Sequence, residues 1–344
     1  MKTAHIASSL VMGLFVIAAT IVYGQAAEKP LQVVARVSGA DLTLSDLQQD
    51  EGGKLLQAGY QYYLNERKAL EELIDNRLLA DEARKKSITL DQLLETEVYK
   101  AVKDPTEDQL EVYYEGLDTK DSFESVRDDI LQHIREIRRN KARAAYVDQL
   151  RTQAKINIML MPPSAQVDVS KAYARGSENA PVVLVEFADY QCPYCQKANP
   201  QIQQLKKEYG DRLTVIYKDF PLPMHHASEK AAEASRCAGE QGKFWEYHDV
   251  LFYSNLLDVD ALKEHARVLK LDSDRFNTCL DSGAETAAVK KDLDEAKSLG
   301  LTGTPSFFVN GHFFSGVVDY AALKDIVNQQ LNLVAAQHTQ ISQK

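Results

Sequence analysis

Val182-Val183-Leu184-Val185-Glu186-Phe187 runs through Ala188-Asp189-Tyr190-Gln191 into Cys192-Pro193-Tyr194-Cys195. The first six residues are a nearly continuous apolar run, as a strand buried on both faces requires. The cysteine pair falls where that strand ends and a helix begins, and the helix continues to Gly210. A thiol at a helix N-terminus faces unpaired N–H groups and the positive end of the helix dipole, which favour its ionised form. Its pKa then falls from ~8.5 into a range of about 3.5–7.5. Two intervening residues let the second sulfur attack a mixed disulfide on the first without backbone rearrangement. On this reading Cys192 is the exposed nucleophile and Cys195 the buried resolving thiol. The competing use of such a pair, half of a zinc site, needs two more ligands at matching spacing. Cys237 and Cys279 stand alone and no second C-x-x-C exists, so neither metal nor cofactor is expected.

Working downstream, Leu213 to Tyr217 reads as the next strand and helices fill about 226–299. Pro305 precedes the apolar run Ser306-Phe307-Phe308-Val309, and Asn310-Gly311 is a strong two-residue hairpin signal. Phe313 and Phe314 start the return strand, and a last helix runs from Tyr320 to about Leu333, leaving a tail at 337–344. Strand, helix, strand, helical insert, hairpin and helix imply a small α/β sheet over 168–336. Upstream, Met161-Pro162-Pro163-Ser164 blocks helix continuation, and the polar stretch after it makes 163–181 a linker.

The preceding unit, 30–162, opens with a strand at Leu31 to Val37 and a turn at Ser38-Gly39, then turns helical. Leu70, Leu73, Ile74 and Leu78 share one helical face. Thr89-Leu90-Asp91-Gln92 and Thr106-Glu107-Asp108-Gln109 match the capping box, in which a threonine oxygen and a glutamine satisfy each other's backbone N–H. A long helix follows over about 123–154, and Ile156 to Leu160 reads as a closing strand able to pair with Leu31–Val37. Tyr60, Tyr62, Tyr63, Tyr113 and Tyr114 suit a peptide groove, a dimer contact or, more commonly, core packing. At the N-terminus, Lys2 precedes an almost wholly apolar or small stretch from Ile6 to Tyr23. This reads as a signal peptide over 1–24, with small residues at Gly24 and Ala26 for cleavage, or else as an uncleaved anchor.

The whole chain has 344 residues, with 44% hydrophobic and 26% charged. At ~100–200 residues per domain, two folded units are expected, and disorder, collagen and coiled coil are excluded for its bulk. The net charge of −10 leaves no footprint for nucleic acid or anionic lipid.

Val185 to Cys195, together with Gly303-Thr304-Pro305-Ser306-Phe307-Phe308-Val309-Asn310-Gly311, resembles the DsbA-like thioredoxin superfamily, as do Lys218-Asp219-Phe220-Pro221-Leu222 and Gly242-Lys243-Phe244-Trp245. The resemblance covers about 170–335. It implies a thioredoxin fold with an inserted helical subdomain, acting in extracytoplasmic thiol–disulfide exchange, with Pro193 and Tyr194 between the redox cysteines. Pro305 matches the family's cis-proline, which faces the cysteine pair and presents the backbone of Thr304 to an extended substrate. Glu186 matches the family's buried acid, placed to exchange a proton with Cys195, and burial should raise its pKa. A salt bridge at the sheet end is the other use of this residue. Tyr194 stands where strong oxidases of the family carry histidine and supplies no positive charge, so Cys192 should be less acidic than in those relatives.

The first unit resembles the N-terminal chaperone domain of SurA-like proteins through Val33-Val34-Ala35-Arg36-Val37-Ser38-Gly39, Leu70 to Leu79 and Pro105-Thr106-Glu107-Asp108. The fold expectation is thus α/β: a thioredoxin domain with a helical insert, preceded by a mainly α-helical unit that binds unfolded clients or dimerises. In an extracytoplasmic or periplasmic setting, Cys237 and Cys279 read as a structural disulfide, the alternatives being two buried thiols or a second redox pair. The expected activity is disulfide formation or rearrangement in secreted, thiol-containing polypeptides. The resemblance implies a membrane redox partner of DsbB or VKOR type and a possible homodimer, with no nucleic acid partner. A holdase with a non-catalytic cysteine pair and a dedicated thiol reductase are the alternatives.

Overall fold

The computed structural model describes residues 32–316 and 320–342. The expected signal segment, 1–24, lies outside the described residues. Two compact units meet at Glu51–Gly52. In the first, β1 (Val33–Val37) and β2 (Ala40–Thr43) form an antiparallel hairpin. Its turn is Ser38-Gly39, both at positive φ (51° and 86°). Asp46 then caps the start of α1 (Leu44–Lys85), accepting from the Thr43 N–H and hydroxyl at 2.8 Å each. The expected pairing of β1 with 156–160 is corrected here: β1 pairs with β2, and 156–160 forms no strand. A partner two residues away costs far less loop-closure entropy than one beyond residue 150.

α1 leaves helical geometry at Glu51 (φ −122°, ψ 17°), and the second unit begins there. It continues with α2 (Leu90–Leu93), a π-helical turn over Leu94–Val98, α3 (Glu107–Glu115) and α4 (Phe123–Gln153). The capping boxes are present at both predicted sites. Gln92 accepts from the Thr89 N–H at 2.9 Å, and Gln109 accepts from the Thr106 N–H at 3.2 Å. Leu79, Ala83, Leu93 and Val147 form a small core among these helices. Arg151 of α4 ties back to α1 by pairing with Glu71 (2.6 Å) and Asp75 (2.5 Å).

β3 (Tyr173–Arg175), β4 (Val182–Ala188), α5 (Pro193–Tyr209), β5 (Leu213–Asp219), α6 (Ser228–Gly239), α7 (Phe244–Ser254), α8 (Val259–Val268), α9 (Ser273–Ser282), α10 (Thr286–Ser298), β6 (Ser306–Val309), β7 (His312–Ser315) and α11 (Tyr320–Ser342) follow. The strands form one sheet in the order β3-β5-β4-β6-β7, with β4 and β5 parallel and the other pairs antiparallel. This is the expected thioredoxin fold with a helical insert, α6–α10, between β5 and β6. Part of the expected linker, 163–181, is thus an edge strand. Asn310-Gly311 turns the β6–β7 hairpin with both residues at positive φ (46° and 84°). α11 runs to Ser342, so the expected tail at 337–344 is helical as far as that residue.

Side chains alternate across the sheet. Val182, Leu184, Val215 and Phe307 face α5 and α11. Val185, Phe187, Ile216 and Phe308 face Ala296 of α10 and also Leu56, Tyr60 and Tyr63 of α1. α1 therefore covers the second face of the sheet. These residues of α1 and the sheet share one core. Tyr60 packs edge-on to Phe313 with ring centroids 4.8 Å apart, so Tyr60 and Tyr63 are core residues. Tyr62 is exposed. Among the described residues, no helix is long and apolar enough to cross a membrane.

Candidate active site

The turn from β4 to α5 is built on Asp189. Its side chain is buried and accepts from the backbone N–H of Gln191 (2.7 Å) and Leu222 (2.8 Å) and from His225 Nδ1 (2.7 Å). Its carbonyl accepts from the Cys192 N–H at 3.1 Å. These bonds leave Cys192 as the N-cap of α5 (φ −73°, ψ 121°) with Pro193 in the first turn. Proline suits that position because its missing N–H would have no helical acceptor there.

Cys192 is brought down to about 5. The largest cause is the hydrogen bond from Cys195, which outweighs burial; the Thr304 side chain and the backbone N–H groups of Cys195 and Tyr194 add to it. Cys195 is pushed well up, first by burial and then by Cys192 and the nearby Glu186. The two thiols, two residues apart, are thus driven in opposite directions. One expectation needs correction: Cys192 is not exposed but retains 3% of its surface. Its Sγ lies 3.4 Å from the Thr304 carbonyl, so the loop before β6 covers it.

The Thr304–Pro305 peptide is cis, and the Thr304 carbonyl lies 3.4 Å from Cys192 Sγ. Glu186 on β4 is 2% exposed, burial pushes its carboxyl up to about 8, and Oε1 has no protein hydrogen-bond partner. Among the described residues no cation pairs with it, so the sheet-end salt bridge does not form. Tyr194 is about half exposed, with Lys197 Nζ 5.9 Å from its ring centroid. Cys237 on α6 and Cys279 on α9 are joined by a disulfide.

Asp189 and His225 were not among the predicted site residues. An aspartate three residues before the redox pair is the usual signal of a side chain capping a turn, but nothing in the spacing joins it to a histidine 36 residues on. Asn199 and His248, both buried, also went unread. Together the groups offer an ionised thiol, a protonated thiol beside it, a buried acid near that second thiol, and a cis-proline loop against the nucleophile.

Residues 168–329 match the family model described as Thioredoxin. Among curated proteins, a Na(+)/H(+) antiporter NhaA 3 of Salinispora tropica is 38% identical over 173 residues, covering 49% of this chain and 26% of the antiporter. A Na(+)/H(+) antiporter NhaA 1 of Salinispora arenicola is 37% identical over 172 residues, again 26% of its own length. The chain therefore spans about a quarter of the curated relatives it matches. Among solved structures, oxidised BdbD from Bacillus subtilis is 24% identical with a TM-score of 0.47, covering 49% of this chain and 97% of that one. A thioredoxin-like oxidoreductase from Silicibacter pomeroyi is 28% identical with a TM-score of 0.44, covering 47% and 94%.

Proposed function

We propose that this chain, whose C-terminal half belongs to the thioredoxin family, is a protein thiol–disulfide oxidoreductase working through Cys192 and Cys195. The observation that carries the reading is the opposed ionisation of the two thiols, with Cys192 at about 5 on the N-cap of α5 and Cys195 pushed up beside Glu186. In the reducing direction the Cys192 thiolate attacks one sulfur of a substrate disulfide. A mixed disulfide forms and the other substrate sulfur leaves as a thiolate. Glu186, once it has given up its own proton, takes the Cys195 proton, and the Cys195 thiolate attacks Cys192 Sγ. The Cys192–Cys195 disulfide forms as the second substrate sulfur leaves, so the substrate gains two electrons and the pair loses two. Run backwards, the same steps oxidise a dithiol. Rearrangement of disulfides stops at the mixed disulfide. Thr304 and Pro305, with Pro193 and Tyr194 on the other side, form the surface on which an extended polypeptide lies.

The Cys237–Cys279 disulfide supports an extracytoplasmic setting, where such bonds persist. In that setting the clients are thiol-containing secreted polypeptides, and an oxidase requires a membrane partner to re-oxidise the pair. Client capture falls to the SurA-like helices. An apolar groove of about 620 Å³ runs between Leu70, Leu73, Ile74 and Leu78 of α1 and the extended segment Ile156 to Leu160. No backbone N–H from Ile156 to Leu160 donates to another described residue. Such an edge beside an apolar groove fits an extended apolar peptide, which supplies carbonyls to the edge and side chains to the groove.

Cys192→Ser tests the reading. Loss of insulin reduction with unchanged suppression of client aggregation is expected. Equal thiol activity in variant and wild type refutes it in favour of a holdase. The reduction potential of the pair against glutathione then assigns the direction.

A further inference from the structure

Four buried polar atoms around the second thiol's acid lack a protein hydrogen-bond partner: Glu186 Oε1, Asn199 Nδ2, Trp245 Nε1 and His248 Nε2. Their residues line one cavity of about 10 Å³ between β4, α5 and α7. That is the space of about one water-sized probe, close to the minimum of ~10–15 Å³ that holds a water. Glu186, Asn199 and His248 are 2%, 3% and 2% exposed.

The hydrogen-bonding capacities of the four are complementary. His248 Nδ1 lies 3.0 Å from Asp249 Oδ1. A carboxylate only accepts, so Nδ1 carries the hydrogen and Nε2 of the neutral ring is an acceptor. Asp249 is held in turn by Arg175 (2.8 Å) and Gln203 (3.4 Å). The cavity thus presents two donors, from Asn199 and Trp245, and two acceptors, His248 Nε2 and Glu186 Oε1. One water molecule, with two hydrogens and two lone pairs, satisfies all four. Other charged or titratable groups facing His248 are accounted for. Arg175 over the Trp245 ring is paired with Asp249, Lys206 of α5 donates to the Gly210 carbonyl at 2.7 Å, and Tyr190 and Tyr217 contribute uncharged rings.

We propose that this cavity binds a single water linking Glu186 to His248, and that the His248–Asp249 pair is the outlet for the Glu186 proton, which frees that acid to take the one from Cys195. The inference rests on the thiol-exchange reading above. Glu186 rests as the neutral acid because burial holds its carboxyl up, so it first gives its proton to the water, which gives one of its own to His248 Nε2. The carboxylate so formed takes the Cys195 S–H proton and leaves a thiolate. Burial holds His248 below its ordinary value, so the imidazolium is a short-lived carrier, paired through Nδ1–H with Asp249, which is about one-third exposed and reaches solvent. Glu186 is restored as the neutral acid and the water is unchanged. His248 touches no substrate, so it is a positioning and proton-relay residue. It gives the FWEYH stretch of α7 a role beyond packing.

The test has a structural and a kinetic arm. A high-resolution crystal structure of the full chain should show one water within about 3.2 Å of all four atoms; a dry cavity overturns the proposal. Kinetically, His248→Gln keeps an acceptor toward the cavity but takes no proton. Single-turnover resolution of a mixed disulfide between Cys192 and a model peptide should slow at least tenfold at pH 7 and lose its pH dependence. Positioned proton transfer contributes about 10²–10⁴-fold in general. Alkylation of Cys192 should keep its pH midpoint in this variant. Asp249→Asn, at a part-exposed site, provides the second variant should His248→Gln not fold, with the same slowing and flattening expected. Resolution rates that superimpose on wild type in the folded variant overturn the relay. A wild-type chain that exchanges no disulfide at all overturns the proposed function itself, a failure read without any variant.

Discussion

Glu186→Gln isolates the energetic consequence of burying a carboxyl beneath the redox helix. The swap keeps shape and removes the titration. A buried acid pushed from 4.5 up to about 8 by desolvation binds more protons in the folded than in the unfolded chain between those two values. Stability therefore falls as pH rises from about 4.5 and levels off above about 8. With 1.36 kcal/mol per pKa unit, keeping Glu186 neutral in the folded state costs under about 1 kcal/mol at pH 5. At pH 7 the same cost is about 3 kcal/mol. Glutamine carries no such dependence, so the variant should gain roughly 2–3 kcal/mol on the wild type between pH 5 and pH 7. The assay is urea unfolding at both pH values, with both proteins in a Cys195→Ala background so that coupling to that thiol drops out. Parallel pH profiles, or a gap that narrows with pH, refute the claim that Glu186 is neutral at pH 7.

Further outcomes follow from the same geometry. Alkylation of Cys192 by iodoacetamide should reach its plateau with a pH midpoint of about 5, against ~8.5 for free cysteine, whatever the covering loop does to the absolute rate; a midpoint above about 7.5 contradicts the site. Cys237→Ser with Cys279→Ser opens a 42-residue separation and should cost roughly 4 kcal/mol in the chain-entropy model, read by urea unfolding; insulin reduction that falls in proportion to the loss of disulfide, in a protein still folded, marks the pair as redox-active. Leu73→Asp with Met159→Asp, both at exposed positions on the apolar groove, should abolish suppression of client aggregation while leaving insulin reduction within about twofold, as surface changes rarely alter folding.

What the sequence disclosed divides along physical lines. Local signals held: the apolar run before Cys192, the proline at the first turn of α5, the Asn310-Gly311 hairpin and both threonine capping boxes each act within a few residues. Glu186 was legible because a lone acid in an apolar strand is costly wherever that strand is buried. The errors were long-range. β1 found its partner across a two-residue turn, and the row Ile156 to Leu160, strand-like in composition, lies along a groove without joining a sheet. Tyr60 and Tyr63 gave no sign that α1 would cover the second face of the thioredoxin sheet, since an amphipathic face does not name its partner. Burial of Cys192 was missed for the same reason: the Thr304 carbonyl that covers it lies 112 residues downstream. The polar set around the cavity is the extreme case, because Asn199, Trp245 and His248 meet Glu186 only through tertiary packing.

The opposed thiols also bear on the direction of exchange. Stabilising the thiolate at Cys192 favours the reduced pair over the disulfide and so makes the pair more oxidising. Relative to an ordinary thiol near 8.5, a value of about 5 favours the reduced form at pH 7 by at most about a hundredfold, equivalent to about 60 mV. Cys195 adds nothing to this, since a thiol raised above its ordinary value is already protonated at pH 7 in folded and unfolded chains alike. Tyr194 contributes no charge, and Lys197 lies over its ring, 5.9 Å from the centroid. The stabilisation thus comes from hydrogen bonds of Cys195, Thr304 and the first turn of α5, not from a neighbouring cation. Such bonds act only at short range and require the thiolate to stay in place. Once a substrate sulfur occupies Cys192 they are lost, and resolution depends on the Cys195 proton leaving through Glu186. The pair is therefore built for fast attack and for release governed by the buried acid, which suits a protein that holds a mixed disulfide long enough for either resolution or rearrangement.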